Sequence, residues 1–347
     1  MKRHLLFLAA LLIVNLAASA QKKFSVYAVG FYNQENLFDT CHDEGKKDYE
    51  YLPNKGWNGM KYTNKLRNMS KALADMGTDV LPNVGCAFIG LSEVENHKVL
   101  DALVDQAPLK ARNMKYVHIE GPDRRGIDCA LLYNPSLFSV KNVKLLPYVQ
   151  ELAKDSAFFT RGFLTVRGEM AGDDVAVIVC HWPSRFSGPF YRESAARQVK
   201  VIKDSLLKVN QEMKIFVMGD MNDDPVNKSM HVYLQAKPEI SQVGAGDMYN
   251  PWYNVLAKEG KGTLFYSGNW NLFDQIVITP NLLNKDAKKK DYSSLKYWKS
   301  HIFRRDYLIQ QEGQYKGAPL RTTAGGRWLN GYSDHLPVVM YLVKEKK

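Results

Sequence analysis

The run Ile215-Phe216-Val217-Met218 ends on Gly219, and Asp220, Asn222, Asp223 and Asp224 follow at once. Four apolar residues closing on oxygen-bearing side chains read as a buried strand that ends at a cleft, where open α/β sheets place their sites. In extended chain, residues two apart share a face, so Asp220 and Asn222 converge on one point. Any fold for this chain must leave that strand end open.

The same ending recurs along the sequence. Asn33 follows the Val-, Tyr- and Phe-rich strand Phe24 to Gly30, Glu93 follows Cys86 to Leu91, and His181 closes Asp174 to Cys180. Asp274 lies in Leu272 to Ile278, while Asp334 and His335 open Ser333 to Tyr341. A single polar group at a strand end is ordinary turn chemistry. Its recurrence throughout one chain points further, because a closed sheet sandwich would bring those strand ends to a common rim. Further strands are predicted at Tyr116 to Ile119, Ile127 to Tyr133 and Phe138 to Leu146. A hairpin joins Gly162 to Met170 with Asp174 to Cys180 around Ala171-Gly172-Asp173. Helical spacing marks Tyr62 to Met76, Lys98 to Asp105 and Glu193 to Gln211. Many strands with few helices favour sheets packed on each other with helices outside. Without repeats or a Pro/Ser-rich linker, residues 21–347 read as one domain. The basic, aromatic stretch 281–331 reads as an elaborated insertion within it.

The polar set holds carboxylates and amides without a cysteine or paired-histidine ligand motif, which suits Mg²⁺, Mn²⁺ or Ca²⁺ and fits structural zinc poorly. An EF-hand loop beginning at Asp220 is excluded, because Pro225 stands where glycine is required and His231 where the bidentate glutamate is required. A serine hydrolase lacks its Gly-x-Ser-x-Gly elbow here.

Asn33 in Phe-Tyr-Asn-Gln-Glu-Asn-Leu, Glu93 in Gly-Leu-Ser-Glu, His181 after Val-Ile-Val-Cys, Gly-Asp-Met-Asn at 219 to 222, Asp274 in Phe-Asp-Gln-Ile and Ser-Asp-His-Leu-Pro-Val at 333 to 338 come in one order over nearly the whole chain. Together they resemble the endonuclease/exonuclease/phosphatase family of DNase I-like fold, in an exported bacterial branch. The resemblance implies a four-layer α/β/β/α sandwich with two central mixed sheets, and a divalent metal, Mg²⁺ first and Mn²⁺ or Ca²⁺ as alternatives, that cleaves P–O bonds. It implies metal ligation by Glu93, Asn33 and Asp334, water activation by Asp220, a phosphate contact from Asn222, and proton or phosphate roles for His181 and for His335 oriented by Asp274. Arg125, Arg161 and Arg185, near strand ends, are candidate phosphate clamps, with structural ion pairing as the ordinary alternative. His42, His97, His118, His231 and His301 have no motif around them, and the Lys285 to Lys290 cluster reads as a solvated loop.

Met1-Lys2-Arg3, the apolar run Leu5 to Leu16 and Ala18-Ser19-Ala20 have the form of a secretory signal peptide over residues 1–20, too short in its apolar part to span a membrane. Loss of that leader, which carries two cations and no acid, lowers the formal charge from +11 to +9. An exported basic protein favours polyanionic partners. Cys86, Cys129 and Cys180 lie in apolar runs, so no disulfide framework is expected. The sequence therefore predicts an exported Mg²⁺- or Mn²⁺-dependent phosphodiesterase. A nuclease acting on nucleic acid comes first, and a phospholipid, sphingomyelin or sugar-phosphate esterase of the same fold comes second. A non-catalytic binding module comes last, and no stable membrane insertion or obligate protein partner is inferred.

Overall fold

The computed structural model describes residues 23–151, 158–286 and 288–346; the predicted leader lies outside them. The chain opens with strand β1 (Phe24–Leu37), then helix α1 (Gly59–Asp75) and β2 (Cys86–Val94). Helices α2 (His97–Val104) and α3 (Ala107–Ala111) lead into β3 (Lys115–His118), β4 (Asp128–Tyr133), β5 (Phe138–Leu146) and the hairpin β6 (Phe163–Met170) and β7 (Asp173–His181). Helix α4 (Pro189–Val209) precedes β8 (Lys214–Asp220), the short strands β9 (Ala236–Lys237) and β10 (Met248–Tyr249), and helix α5 (Trp252–Ala257). The hairpin β11 (Leu264–Tyr266) and β12 (Asn269–Asn271) comes next. It is followed by β13 (Asp274–Ile278), β14 (Lys296–Ile302), the small hairpin β15 (Thr323–Ala324) and β16 (Arg327–Trp328), and finally β17 (Val338–Glu345).

Two mixed sheets result. One has the order β14-β17-β1-β2-β4-β3 and the other β5-β6-β7-β8-β13-β10-β9. β1 runs parallel to β2 and antiparallel to β17, while β7 runs parallel to β8. The buried side chains divide into three clusters, and the division defines the layers. Phe31, Phe88, Val177, Phe216 and Met218 belong to the central cluster, between the sheets. Leu66, Met69 and Leu73 of α1 pack with Ile89 and Leu91 on the outer face of the first sheet. Ala195, Ala196 and Val199 of α4 pack with Ile178, Ile215 and Val217 on the outer face of the second. The architecture is the α/β/β/α sandwich that the sequence predicts.

The strands β2 and β8 are buried over nearly their whole length, which is why their sequences read as continuous apolar runs and not as alternating ones. Gly90 leaves room for the facing sheet: a Cβ there would lie 2.7 Å from the Met218 sulfur. Elements differ from expectation mainly at their ends. α4 starts at Pro189, four residues before the apolar period begins, because proline suits the first turn of a helix. β17 begins at Val338, since Pro337 cannot donate to a ladder, and the segment before it forms a turn. Within the stretch 281–331, β14 joins the first sheet beside β17. Among the described residues, no helix is long and apolar enough to cross a membrane, and all four cysteines are free.

Candidate active site

Pairing within the second sheet sets the site. His181 lies opposite Asp220 in the β7/β8 register, and Asp220 lies opposite Asp274 in the β8/β13 register. Three chemically active side chains thus stand side by side on adjacent strands, a spacing of about 5 Å per step. Gly219 is required for this alignment, because a Cβ there would meet the Cys180 carbonyl oxygen at 2.2 Å.

The turn before β17 supplies the fourth group. His335 Nδ1 lies 2.6 Å from Asp274 Oδ2, and its Nε2 is 3.9 Å from Asp220 Oδ2 and 4.0 Å from Asp334 Oδ1. Ser333 fixes that turn: its hydroxyl donates to the Asn33 carbonyl at 2.7 Å and accepts from the His335 amide at 3.1 Å. From the first sheet, Asn33 Nδ2 donates to Asp220 Oδ2 at 3.0 Å. Glu93 Oε1 lies 3.8 Å from His181 Nε2, which is itself 3.6 Å from Asp220 Oδ2. The strand ends of both sheets therefore meet at one rim.

Backbone strain concentrates there. Nine non-glycine residues among those described have left-handed φ, and Glu35, Asn36, Glu93 and Asn222 are four of them. Conformations of this kind cost about 1–3 kcal/mol each and persist where surrounding contacts fix them. The Asn36 amide donates to Glu93 Oε2 at 2.9 Å, the Glu35 amide to Asn33 Oδ1 at 2.8 Å, and the Asn222 amide to Asp220 Oδ1 at 2.9 Å. Asn222 Nδ2 donates to the Trp182 carbonyl at 2.9 Å.

Burial separates the protonation behaviour of these groups. Burial, reinforced by Asp274, raises the Asp220 carboxyl to about 7 despite the nearby His335. His335 is as buried, but Asp274 and Asp220 outweigh desolvation and hold its pKa well above the usual histidine range. His181 goes the other way: burial, then Arg161 and Arg125, push it well below that range, so its imidazole is neutral. A carboxylate poised near neutrality thus lies within 4 Å of a neutral imidazole on one side and of an imidazolium on the other.

The predicted metal ligands have oxygen to offer. One Glu93 oxygen is taken by the Asn36 amide, and the other has no hydrogen bond among the described residues. Asp334 Oδ2 accepts from Arg321 at 3.0 Å, and among the described residues Oδ1 makes only the long approach to His335. Asn33 Oδ1 keeps a second lone pair beside its bond from Glu35. This all-oxygen donor set suits a hard divalent cation. A second group with cation-binding spacing, His118, Glu120 and Asp128, has its ligand atoms within 4.8 Å of one another. It is already knit together: His118 Nε2 lies 3.1 Å from Asp128, whose carboxylate also accepts from the Gly121 amide.

The three arginines divide. Arg161 is sealed between Asp123 Oδ2 at 3.1 Å and the Trp182 carbonyl at 3.0 Å, with its side chain 9% exposed, so it braces the scaffold. Arg125 is exposed on the rim and donates to the Asn36 side-chain oxygen. Arg185 is also exposed, tied to Asp224 at 2.8 Å and Asn271 at 3.0 Å, and stacked 4.5 Å from the Phe273 ring centroid.

Several supporting residues escaped sequence reasoning. Lys65 of α1, fully buried, donates to the Thr322 hydroxyl and the Tyr332 carbonyl, each at 2.5 Å. Glu35 accepts from the Thr322 amide at 2.5 Å and from Arg321 at 3.3 Å. Burial and Asp334 raise the Glu35 carboxyl to about 7, and burial lowers the Lys65 ammonium to about 8 despite its acidic neighbours. Asp223 is held by Arg192 at 2.8 Å and by Ser229 at 2.7 Å, which fixes the loop after Asn222. Glu35 could have been read from its place in the Asn33 to Asn36 run, whereas Lys65 carries no sequence signal beyond its place beside Leu66.

The sequence matches the model for the endonuclease/exonuclease/phosphatase family over residues 28–344. No curated protein matches it. Among solved structures, a Bacteroides thetaiotaomicron protein of that family is 14% identical, with a TM-score of 0.55 over 94% of this chain and 97% of its own. A mannosyl-6-phosphatase from B. thetaiotaomicron is 14% identical, with a TM-score of 0.54 over 91% and 99%. D. rerio TDP2 complexed with single strand DNA product is 11% identical, with a TM-score of 0.53 over 92% and 99%.

Proposed function

The chain belongs to the endonuclease/exonuclease/phosphatase family, and on that premise we propose that it is an exported, divalent-metal-dependent phosphodiesterase that hydrolyses nucleic acid. The observation that carries the chemistry is the row His181, Asp220 and Asp274 on adjacent strands, with His335 closing on Asp274 at 2.6 Å. Glu93, Asp334 and Asn33 would hold the metal, which when bound supplies Lewis-acid polarisation of a phosphoryl oxygen.

The protein's own groups account for the remaining needs. Asp220 is raised to about 7 and lies beside two imidazoles, so near neutrality it can accept a proton from an attacking water. Asp274 fixes the His335 ring by its Nδ1 and presents Nε2–H to the cleft, where it can donate to a phosphate oxygen or the departing alkoxide. His181, neutral, is a second donor on the far side of Asp220. Asn222 and the rim arginines Arg125 and Arg185 complete an anion-seeking surface. The formal charge of +11, together with an N-terminal sequence of signal-peptide form, supports an extracellular polyanion as substrate.

The likeness to a mannosyl-6-phosphatase favours a second reading, a sugar-phosphate monoesterase. The mature chain is incubated with Mg²⁺ or Mn²⁺ and, in parallel, with plasmid DNA, RNA, sphingomyelin, sugar phosphates and inositol phosphates, with Asp220→Asn as control. Cleavage of nucleic acid is expected, reduced about 10²- to 10⁴-fold by the substitution without loss of fold. Turnover of a sugar phosphate or lipid with nucleic acid untouched would overturn the nuclease reading, and metal-independent turnover would overturn the ligand assignment.

A further inference from the structure

Beside the catalytic rim lies a cavity of about 500 Å³, within the size range of small-molecule sites. Its floor is apolar and aromatic, with Phe265 and Trp270, whose ring centroids are 5.3 Å apart, together with Leu336. Its rim is basic, with Lys261, Arg304 and Lys316 against the single acid Glu259. Glu259 neutralises Lys261 at 2.8 Å, and Arg304 donates to the Gly317 carbonyl at 3.0 Å. Lys316 is exposed, and its ammonium has no hydrogen-bond or ion-pair partner among the described residues.

We propose that this cavity is a second binding site, for an anionic ligand with a planar aromatic body, the chemistry of a nucleotide unit. Aromatic floors bind rings by stacking, and cationic rims bind phosphate oxygens. The site is distinct from the catalytic centre, since none of the residues assigned there lines it. The two share one wall, the β11/β12 hairpin. On one side Leu264 bridges to His335, the Thr263 carbonyl accepts from the Leu336 amide at 2.8 Å, and Asn271 accepts from Arg185. On the other, Phe265 and Trp270 face the cavity. The basic, aromatic stretch 281–331, which the catalytic row does not use, supplies Arg304 and Lys316. An occupant is therefore either a free nucleotide or a remote nucleotide of a longer strand, and both present the same ring and phosphate.

The test uses the full chain carrying Asp220→Asn with metal chelated, so that neither turnover nor metal-held phosphate contributes. Binding of adenosine 5′-monophosphate is measured by calorimetry, and its azido analogue is photocrosslinked and the labelled peptides mapped. Saturable binding is expected, weakened about tenfold or more by Lys316→Glu and by Trp270→Leu, with label in residues 255–270 or 300–318. Adenosine and inorganic phosphate should each bind more weakly than the nucleotide, and a single-stranded oligonucleotide that competes would identify the remote-strand source. No binding, binding unchanged in Lys316→Glu, or label confined to the catalytic rim would overturn the proposal. Lys316 is on the surface, so that variant reports even if Trp270→Leu fails to fold.

Discussion

His335 owes its charge to two carboxylates that differ in their surroundings. Asp274 is fully buried and bonds the ring at 2.6 Å, whereas Asp220 approaches at 3.9 Å and also faces His181 and Asn33. Replacing Asp274 by Asn keeps the shape but removes the charge, so His335 loses the group that most offsets its desolvation. Its pKa then falls, and the alkaline limb of the pH–rate profile, where the imidazolium deprotonates, moves to lower pH. Turnover at neutral pH should drop about 10- to 100-fold, checked by kcat and kcat/KM between pH 5 and 9. An alkaline limb that does not move would reject His335 as the acid. Glu95 offers a test of stability alone. The residue is 2% exposed, and its carboxyl accepts from the Asp39 amide at 2.7 Å and is raised to about 8 by burial and then by Asp39, Asp43 and Asp48. A raised carboxyl contributes stability when protonated, so its contribution is complete below pH 4.5 and is lost as pH rises through 8. Glu95→Gln keeps the accepting oxygen, and its melting temperature should exceed that of the parent at pH 8 and match it near pH 4.5.

At the level of elements, the stretch 281–331 is fastened to the site by two buried side chains of opposite charge. Lys65 on α1 holds Thr322 and Tyr332, and Glu35 on β1 holds the Thr322 amide and Arg321, which in turn reaches Asp334. Lys65→Met should cost about 3–5 kcal/mol, because Glu35 is left buried beside Asp334 with only the half-exposed Arg321 to offset it. Adding Glu35→Gln should recover part of that loss, and chemical denaturation of the four forms gives the coupling. Strictly additive losses would show that the two charges do not sense each other. This network also marks where the sequence stops being legible. Asp220, Asp274 and His181 could be read because buried strands write themselves as apolar runs and their ends stand out. Lys65 could not, because next to Leu66 and four before Met69 a lysine looks like the solvated edge of an amphipathic helix. β1, which the sequence pattern ends at Gly30, runs to Leu37, with an irregularity between Asn33 and Leu37. Polar residues at a strand end hide continued pairing, and left-handed Glu35 and Asn36 leave no compositional trace. The pairing that aligns Asp220 with Asp274 joins residues 54 positions apart, and no local pattern encodes it.

On the scale of the whole molecule, the site draws on both ends of the described chain, since β1 carries Asn33 and the turn before β17 carries Asp334 and His335. The excess of cations bears on the substrate more directly than the row proposed to be catalytic, which any phosphate ester could use. A polyanion condenses counterions, and a basic protein that neutralises several of its phosphates releases them. Its affinity therefore falls as a power of salt concentration, with an exponent of about 0.7–0.9 per phosphate contacted. A sugar monophosphate has no such atmosphere, and its binding weakens only by ordinary screening. For this chain, KM on single- or double-stranded nucleic acid should rise by at least about tenfold between 50 and 200 mM salt, while kcat changes little because His335, Asp220 and Asp274 are buried. The measurement is initial rate against substrate concentration at several salt concentrations with metal held constant. A shallow dependence on nucleic acid, matching that on a sugar phosphate, would mean that the charge serves solubility and that the substrate is a small ester.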